Sequence, residues 1–192
     1  MDKPTTGTRE RIVDTADRLF YERGYGHTSF ADIAAAVELS RGNFYYHFKS
    51  KDEILAAVID LRRARTQAML DGWSTAGATP RERIGCFIDM MAMNAAAIRR
   101  NGCPVGTLCT ELAKLEHPAL PQANTLFSLF REWLGAQFVQ LGGRAAADAD
   151  SLAMHLLARS QGIATLANAF DDAGFIRHEV SQLHGWLDAI GT

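Results

Sequence analysis

Apolar residues recur along most of this 192-residue chain at spacings of three and four, and no stretch alternates as a strand would. From Thr8 onward, Ile12, Ala16, Leu19 and Phe20 fall on one face of a helix that Arg23 and Gly24 end. After a short loop at Tyr25 and Gly26, Thr28 or Ser29 is placed to cap a second helix, with Asp32 three residues beyond Ser29 as in a capping box. Phe30, Ile33, Ala34 and Val37 form its apolar face. Glu38 and Leu39 turn the chain, and Ser40 caps a third helix. There Phe44 and Phe48 share an inward face, while Gly42, Asn43, Tyr45 and Tyr46 point elsewhere. Ser50-Lys51-Asp52-Glu53 is another capping box, opening a long helix through Ile54, Leu55, Val58 and Leu61 to Met69 and Trp73.

Gly72, Gly77 and Pro80 mark the break that follows, and Thr79, Pro80 and Glu82 start the next helix, expected over 80–99. Asn101-Gly102-Cys103-Pro104 interrupts the pattern. Further helices are expected at 105–115, from His117-Pro118 to Gly142-Gly143, at 146–170, and at 175–190 after a turn at 171–174. The fold class is therefore all-α.

Two short helices joined by a tight turn, the second presenting polar and aromatic groups to solvent, are what a helix-turn-helix DNA reader requires. Arg41 can donate two hydrogen bonds to guanine, Asn43 can pair with adenine, and Gly42 lets the duplex approach closely. Tyr45 and Tyr46 can donate to phosphate or pack on thymine methyl groups. His47, Lys49 and Lys51, the Thr28 and Ser29 hydroxyls and the amides they cap suit phosphate, with Ser40 at the start of the reading helix. Structural roles stand beside these: Tyr46 as half-buried core, His47 as a helix-end cap, and Lys49 as a solvated charge.

The segment ADIAAAVELSRGNFYYHFKSKDEIL resembles the N-terminal DNA-binding domain of the TetR family of bacterial transcriptional regulators. The resemblance covers about the first third of the chain. It implies a three-helix DNA-binding domain at 1–51 and a helical effector-binding and dimerisation domain at 52–192. By position it assigns Thr28, Tyr45, Tyr46, His47 and Lys51 to phosphate and Arg41, Gly42 and Asn43 to bases. It also implies a double-stranded DNA operator, a small-molecule effector and a homodimer, with repression relieved when the effector binds. One such helix covers few base pairs, so stable binding calls for two of them about 34 Å apart on a palindrome-like site.

In the second half, Phe87, Met90, Met91, Cys103, Leu108, Cys109, Phe127 and Phe130 have the composition of an apolar effector cavity and equally of an ordinary core. The family resemblance favours the cavity. Cys103 lies in GCPVG, similar to a stretch in some electrophile-sensing members, and it precedes a helix start where a thiol gains reactivity. Covalent sensing there stands beside a buried, inert cysteine. Ile176, Val180, Leu183 and Leu187 form a stripe in the last helix, and Leu156 and Ile163 belong to one side of the helix before it. In the TetR family these two helices form a four-helix bundle across a two-fold axis, so these six residues are the expected dimerisation set, with internal core as the alternative.

Composition narrows the remaining classes. The chain is 47% hydrophobic and 22% charged, with a formal net charge of -2, which excludes a wholly basic nucleic-acid coat. Up to Lys51 there are 8 Lys or Arg and 7 Asp or Glu, against 12 and 15 beyond it. The first seven residues, with Pro4 and Gly7, read as a disordered arm, where Lys3 and then Arg9 and Arg11 could reach DNA. Three cysteines are too few and too unevenly spaced for a disulfide framework or a zinc site, and the six histidines are scattered, so no metal or cofactor is expected. No phosphate-cradling loop or nucleophile elbow supports an enzyme. Without a membrane-length apolar run or a secretory leader, the expected location is the cytoplasm.

Overall fold

The computed structural model describes residues 7–190, apart from the side chains of Arg41 and Ala173. Lys3 and the rest of the arm before residue 7 lie outside the described residues. The described residues form eleven helices and no strand: α1 (Thr8–Arg23), α2 (Phe30–Ala36), α3 (Arg41–His47), α4 (Lys51–Ala76), α5 (Pro80–Met93), α6 (Ala95–Asn101), α7 (Pro104–Lys114), α8 (Leu120–Leu141), α9 (Gly143–Ala147), α10 (Ala149–Phe170) and α11 (Ala173–Ile190). Residues up to Ala64 with Thr107–Asn124 make one compact unit, and Arg65–Gly106 with the residues from Thr125 onward make the other. Helices α4, α7 and α8 each run from one unit into the other.

In the first unit, the i, i+4, i+7 and i+8 face of α1 becomes core: Ile12, Ala16, Leu19 and Phe20 are all buried. Ile33 and Val37 of α2, Phe44 and Phe48 around α3, and Ile54, Leu55, Val58 and Ile59 of α4 are buried as well. Each of these side chains larger than alanine contributes about 1.5–3 kcal/mol when taken out of water. Ion pairing adds direction: the Arg62 guanidinium, almost fully buried on α4, donates to Asp17 of α1 at 2.6 Å. Arg11 reaches from α1 to the carbonyl of Val37 at 3.2 Å, and the Arg9 guanidinium lies 4.9 Å from the Phe48 ring centre. The end of α2 and the end of α3 are thus both tied to α1.

The turn between α2 and α3 runs through Glu38 at φ 53°, in the left-handed region that residues with a Cβ enter at a cost. The expected sequence elements of this unit are otherwise the observed ones, caps included. Ser29 accepts the N–H of Asp32 at 3.0 Å while the Asp32 carboxylate accepts the N–H of Ser29 at 2.8 Å, and Ser50 accepts the N–H of Glu53 at 3.2 Å.

The second unit is built on a core of Ile84, Phe87, Ile88, Met91, Leu134, Phe138, Ala153, Leu156, Ile163, Ala167, Ile176, Leu183 and Leu187. Trp73 and Trp133 meet with centroids 5.6 Å apart, and the Trp133 indole N–H donates to Ser74 at 2.9 Å, so that indole is satisfied where it packs. The single helix expected over 80–99 is two, because Asn94 turns its side-chain amide onto the Met90 carbonyl at 2.8 Å and leaves the helical path. The helix expected at 146–170 starts at Ala149, with the short α9 before it.

The expected dimerisation set requires correction. Leu156, Ile163, Ile176, Val180, Leu183 and Leu187 are all buried within the single chain. The stripe on α11 and the matching side of α10 meet the protein's own core, so they offer a partner no surface. The apolar residues that remain exposed on α10 are different ones, Met154, Leu166 and Phe170, interleaved with exposed Ala158, Gly162 and Ala169. Periodicity identified an apolar face on each helix, but α10 has two, and only packing reveals which the chain keeps for itself.

Because Glu38 is exposed and its backbone is left-handed, Glu38→Gly is expected to raise the unfolding free energy by about 1 kcal/mol. The measurement is the urea midpoint at unchanged m-value.

Candidate nucleic-acid interface

The candidate reading surface is built from α2, the Glu38 turn and α3. Seven residues are too few for a helix to hold itself in water, so α3 depends on what it buries. Phe44 is fully buried and Phe48 nearly so, and the Phe30 ring meets Phe44 edge-on at 4.8 Å. With those two rings inward, helical geometry turns Gly42, Asn43, Tyr45 and Tyr46 to solvent, and all four are exposed. Tyr46 is 78% exposed, which removes its half-buried alternative. Tyr45, 40% exposed, leans on Phe30 with centroids 5.1 Å apart, so its ring is braced. His47 is half-buried, with Tyr46 edge-on at 5.2 Å.

Caps aim the N-termini. Ser40 precedes α3 and accepts the N–H of Asn43 at 3.4 Å. Arg41 is the first residue of α3; its side chain lies outside the described atoms. At α2, the hydroxyl and backbone N–H of Ser29 both donate to Asp32, at 2.6 and 2.8 Å, and hold its carboxyl below the usual carboxylate range. That cap is complete above the ordinary aspartate range and is lost as pH falls through the lowered value. The exposed Lys49 donates its ammonium to the Tyr45 carbonyl and its N–H to Glu53 at 2.8 Å. Glu53 thereby caps the entry to α4 from inside the helix's first turn.

Two expected phosphate groups sit differently. The Thr28 side chain is fully buried, and its hydroxyl donates inward to the Gly24 carbonyl at 2.8 Å. The expectation that this hydroxyl meets phosphate is therefore corrected: it closes the end of the α1–α2 loop. Ser29, next to it, is exposed. The Lys51 ammonium donates to the Tyr25 carbonyl at 3.0 Å and stands 3.9 Å from the centre of the Tyr25 ring. One donor is engaged there, and an ammonium has two more.

Tyr25, in the loop between α1 and α2, carries more than its local sequence suggests. It is buried, its backbone N–H donates to Glu111 of α7 at 2.8 Å, and its hydroxyl bonds Asp52 and approaches His117 Nε2 at 3.2 Å. Burial, and then the Asp52 carboxylate, raise the phenol above the ordinary tyrosine range, so it stays a proton donor. No local signal marks this role, because Glu111 and His117 lie 86 and 92 positions away in sequence.

Of the expected effector residues, Phe87, Met91 and Phe130 are buried in the second unit's core, Phe87 and Phe130 meeting at 5.7 Å. Met90, Cys103 and Phe127 pack against that core, whereas Leu108 and Cys109 are buried in the first unit. A cleft of about 330 Å³ between α8 and α10 is lined by Phe127, Ser128, Arg131, Met154, Leu157, Ala158 and Gln161. The Cys103 sulfur accepts the Gly106 N–H at 3.4 Å and the Gln161 amide at 3.5 Å. A Cβ on Gly106 would lie 2.2 Å from the Gln161 carbonyl oxygen, so only glycine admits that approach. Among the described residues no helix is long and apolar enough to cross a membrane, and no group of three potential ligands is arranged for a metal.

The family model of bacterial regulatory proteins of the tetR family matches residues 12–58, which span α1 through the start of α4. The HTH-type transcriptional regulator in the lacX 3′ region of Lactococcus lactis subsp. lactis is 27% identical over 186 residues, 96% of this chain and 95% of that protein. The HTH-type transcriptional repressor DhaR of Mycobacterium sp. (strain GP1) is 28% identical over 134 residues, 67% of this chain and 63% of that one. A crystal structure of a TetR transcriptional regulator from Legionella pneumophila superposes with a TM-score of 0.81 at 27% identity, covering 94% of this chain and 99% of the other.

Thr28→Val is expected to lower the unfolding free energy by about 1–2 kcal/mol by orphaning the Gly24 carbonyl. DNA affinity of the folded protein should change by less than twofold. Urea denaturation paired with fluorescence anisotropy checks this; unchanged stability with a large affinity loss would return the hydroxyl to the phosphate.

Proposed function

Because this chain belongs to the TetR family of bacterial regulatory proteins, and is thus a helix-turn-helix transcriptional regulator, we propose that it acts as a dimeric, ligand-responsive repressor. The observation that carries the reading is α3 standing on buried Phe44 and Phe48 with Gly42, Asn43, Tyr45 and Tyr46 outward. Arg41 and Asn43 read base edges in the major groove, with Gly42 admitting the duplex. Ser29, Ser40, Tyr45, Tyr46, His47, Lys49 and Lys51 hold phosphates on either side. Repression is the reading of choice because DhaR, among the relatives, is named a repressor. Its place of action is the cytoplasm, with the DNA.

The dimer forms through the exposed band of α10, where Ala158, Gly162 and Ala169 let a second helix approach closely and Met154, Leu166 and Phe170 supply apolar area. Met154 and Ala158 also line the cleft, so a partner laid on this band would roof it. The cleft's mix of Phe127, Met154 and Leu157 with Arg131, Gln161 and Ser128 suits a small apolar effector carrying a polar end. Helix α4, 26 residues and about 39 Å long, is the lever through which the effector changes the separation of the two α3 helices. To switch occupancy from bound to free, the effector must favour the DNA-free state by about 5 kcal/mol.

Duplexes selected from a random pool by the full chain test the DNA reading. Arg41→Ala should reduce affinity for the selected duplex by tenfold or more, at about 1–3 kcal/mol per base contact, and leave random-duplex affinity nearly unchanged. Equal loss on both would remove Arg41 from the base-reading set.

Leu166→Glu, on the exposed band, should shift the protein to monomers in analytical ultracentrifugation and weaken palindrome binding, with the helical circular dichroism preserved. A dimer of undiminished affinity would exclude α10 as the interface.

A further inference from the structure

The turn between α1 and α2 is held by a carboxylate that no local pattern announces. Tyr25 and Gly26 follow the last turn of α1 and precede α2, so their N–H groups need acceptors from outside either helix. Glu111, two-thirds of the way along α7, supplies both: Oε2 accepts from Tyr25 and Oε1 from Gly26, each at 2.8 Å. Bonds of this kind, to a charged acceptor, are about twice as strong as neutral ones. The turn is shaped to admit the carboxylate. A Cβ on Gly24, which has φ 89°, would lie 3.0 Å from Oε1, and one on Gly26 would lie 3.2 Å from it.

The rest of Tyr25 is bound by α4 and by the chain just after α7. Lys51 donates to its carbonyl, and the hydroxyl bonds Asp52. His117 accepts the N–H of Ala119 on Nδ1 at 3.1 Å, so in the neutral ring Nε2 carries the proton and faces the Tyr25 hydroxyl and, at 3.6 Å, Asp52. A turn tied to α4 alone could still rotate about it. The second tie, to α7, removes that freedom. The Glu111 carboxylate contributes hydrogen bonds to the turn, while burial in this unit is supplied by apolar side chains such as Ile33, Val37, Phe44 and Phe48, so the clamp acts on orientation.

We propose that Glu111 is a positioning residue for DNA binding: by clamping the Tyr25–Gly26 turn to α7 it fixes the orientation of the helix-turn-helix and thereby the half-site spacing that two protomers accept. This rests on the dimeric DNA-reading function above. Helix α7 is continuous from Pro104, so a shift of its first turn is carried to Glu111 and from there to the turn. The device gives α7 a direct hold on the recognition unit, separate from the lever of α4.

The test uses the full chain with Glu111→Ala, Glu111→Gln and Gly26→Ala, the last crowding the carboxylate while keeping its charge. Amide exchange is followed at Tyr25 and Gly26. Affinity is measured for a palindromic duplex selected by the wild-type protein, for that duplex with one base pair inserted between the half-sites, and for a single half-site. In Glu111→Ala, exchange at Tyr25 and Gly26 should accelerate at least tenfold with the α3 amides unchanged. Palindrome affinity should fall tenfold, single-half-site affinity should stay within twofold, and the penalty for the inserted base pair should shrink at least fivefold. Glu111→Gln, which keeps one oxygen acceptor, should recover part of each effect, and Gly26→Ala should reproduce part of it. Unchanged exchange, or wild-type spacing discrimination in Glu111→Ala, overturns the proposal, as does an equal loss on half-site and palindrome, the mark of a merely structural role. Should the wild-type protein bind the half-site as tightly as the palindrome, the dimeric reading falls and the spacing role with it, while the exchange rates still report whether Glu111 holds the turn.

Discussion

A helix of seven residues has almost no stability of its own, and the proposed recognition surface of this protein is carried by two of them. Everything about that surface therefore depends on the inward burial of Phe44 and Phe48. These rings hold α3 against the core at two points four residues apart, which leaves it no freedom to roll. The outward direction of Asn43 and Tyr46 follows as the geometric complement of that burial. DNA reading needs side chains held to within a fraction of an ångström, and here rigidity comes from the core behind the helix rather than from the helix itself.

The polar groups of the same unit act at its seams. Asp17 with Arg62 joins α1 to α4, Arg11 joins α1 to the end of α2, and Glu111 joins α7 to the turn before α2. Each is an ionised side chain meeting either its counter-charge or a backbone group that has no partner in its own helix. Such bonds are directional in a way that apolar contact is not, so they set angles between helices whose association the hydrophobic core has already secured. Tyr25 gathers several bonds of this kind: an aromatic ring in the core whose N–H is held by α7 and whose carbonyl and hydroxyl are held by α4.

The second unit solves a different problem. Its α10 is apolar on more than one side, and the chain can wrap only one of them. Leu156, Ile163 and Ala167 go inward, into the chain's own core, leaving Met154, Leu166 and Phe170 outside among small residues. An exposed band of this kind is a feature monomeric proteins generally avoid, which is why it carries the proposed dimer. The cleft beside it shares two lining residues with the band, so effector binding and subunit association would act on a common surface.

Most of the helices, the caps at Ser29, Ser40, Ser50 and Thr79, the inward pair Phe44 and Phe48 and the outward direction of Gly42, Asn43, Tyr45 and Tyr46 were legible in the amino-acid sequence. Each depends on neighbours within about four positions, the range over which helical periodicity and capping act. The break at Asn94 was missed although its cause is local, because an asparagine side chain competing for a backbone carbonyl leaves the apolar pattern intact. Three other matters lay beyond local reading: the burial of the Thr28 hydroxyl, the choice of inner and outer face on α10, and the clamp of Glu111 on a turn 86 residues before it. Periodicity says that a face must be covered, and composition says that a carboxylate needs a donor. Neither names the partner, which exists only once helices far apart in the chain have packed against one another.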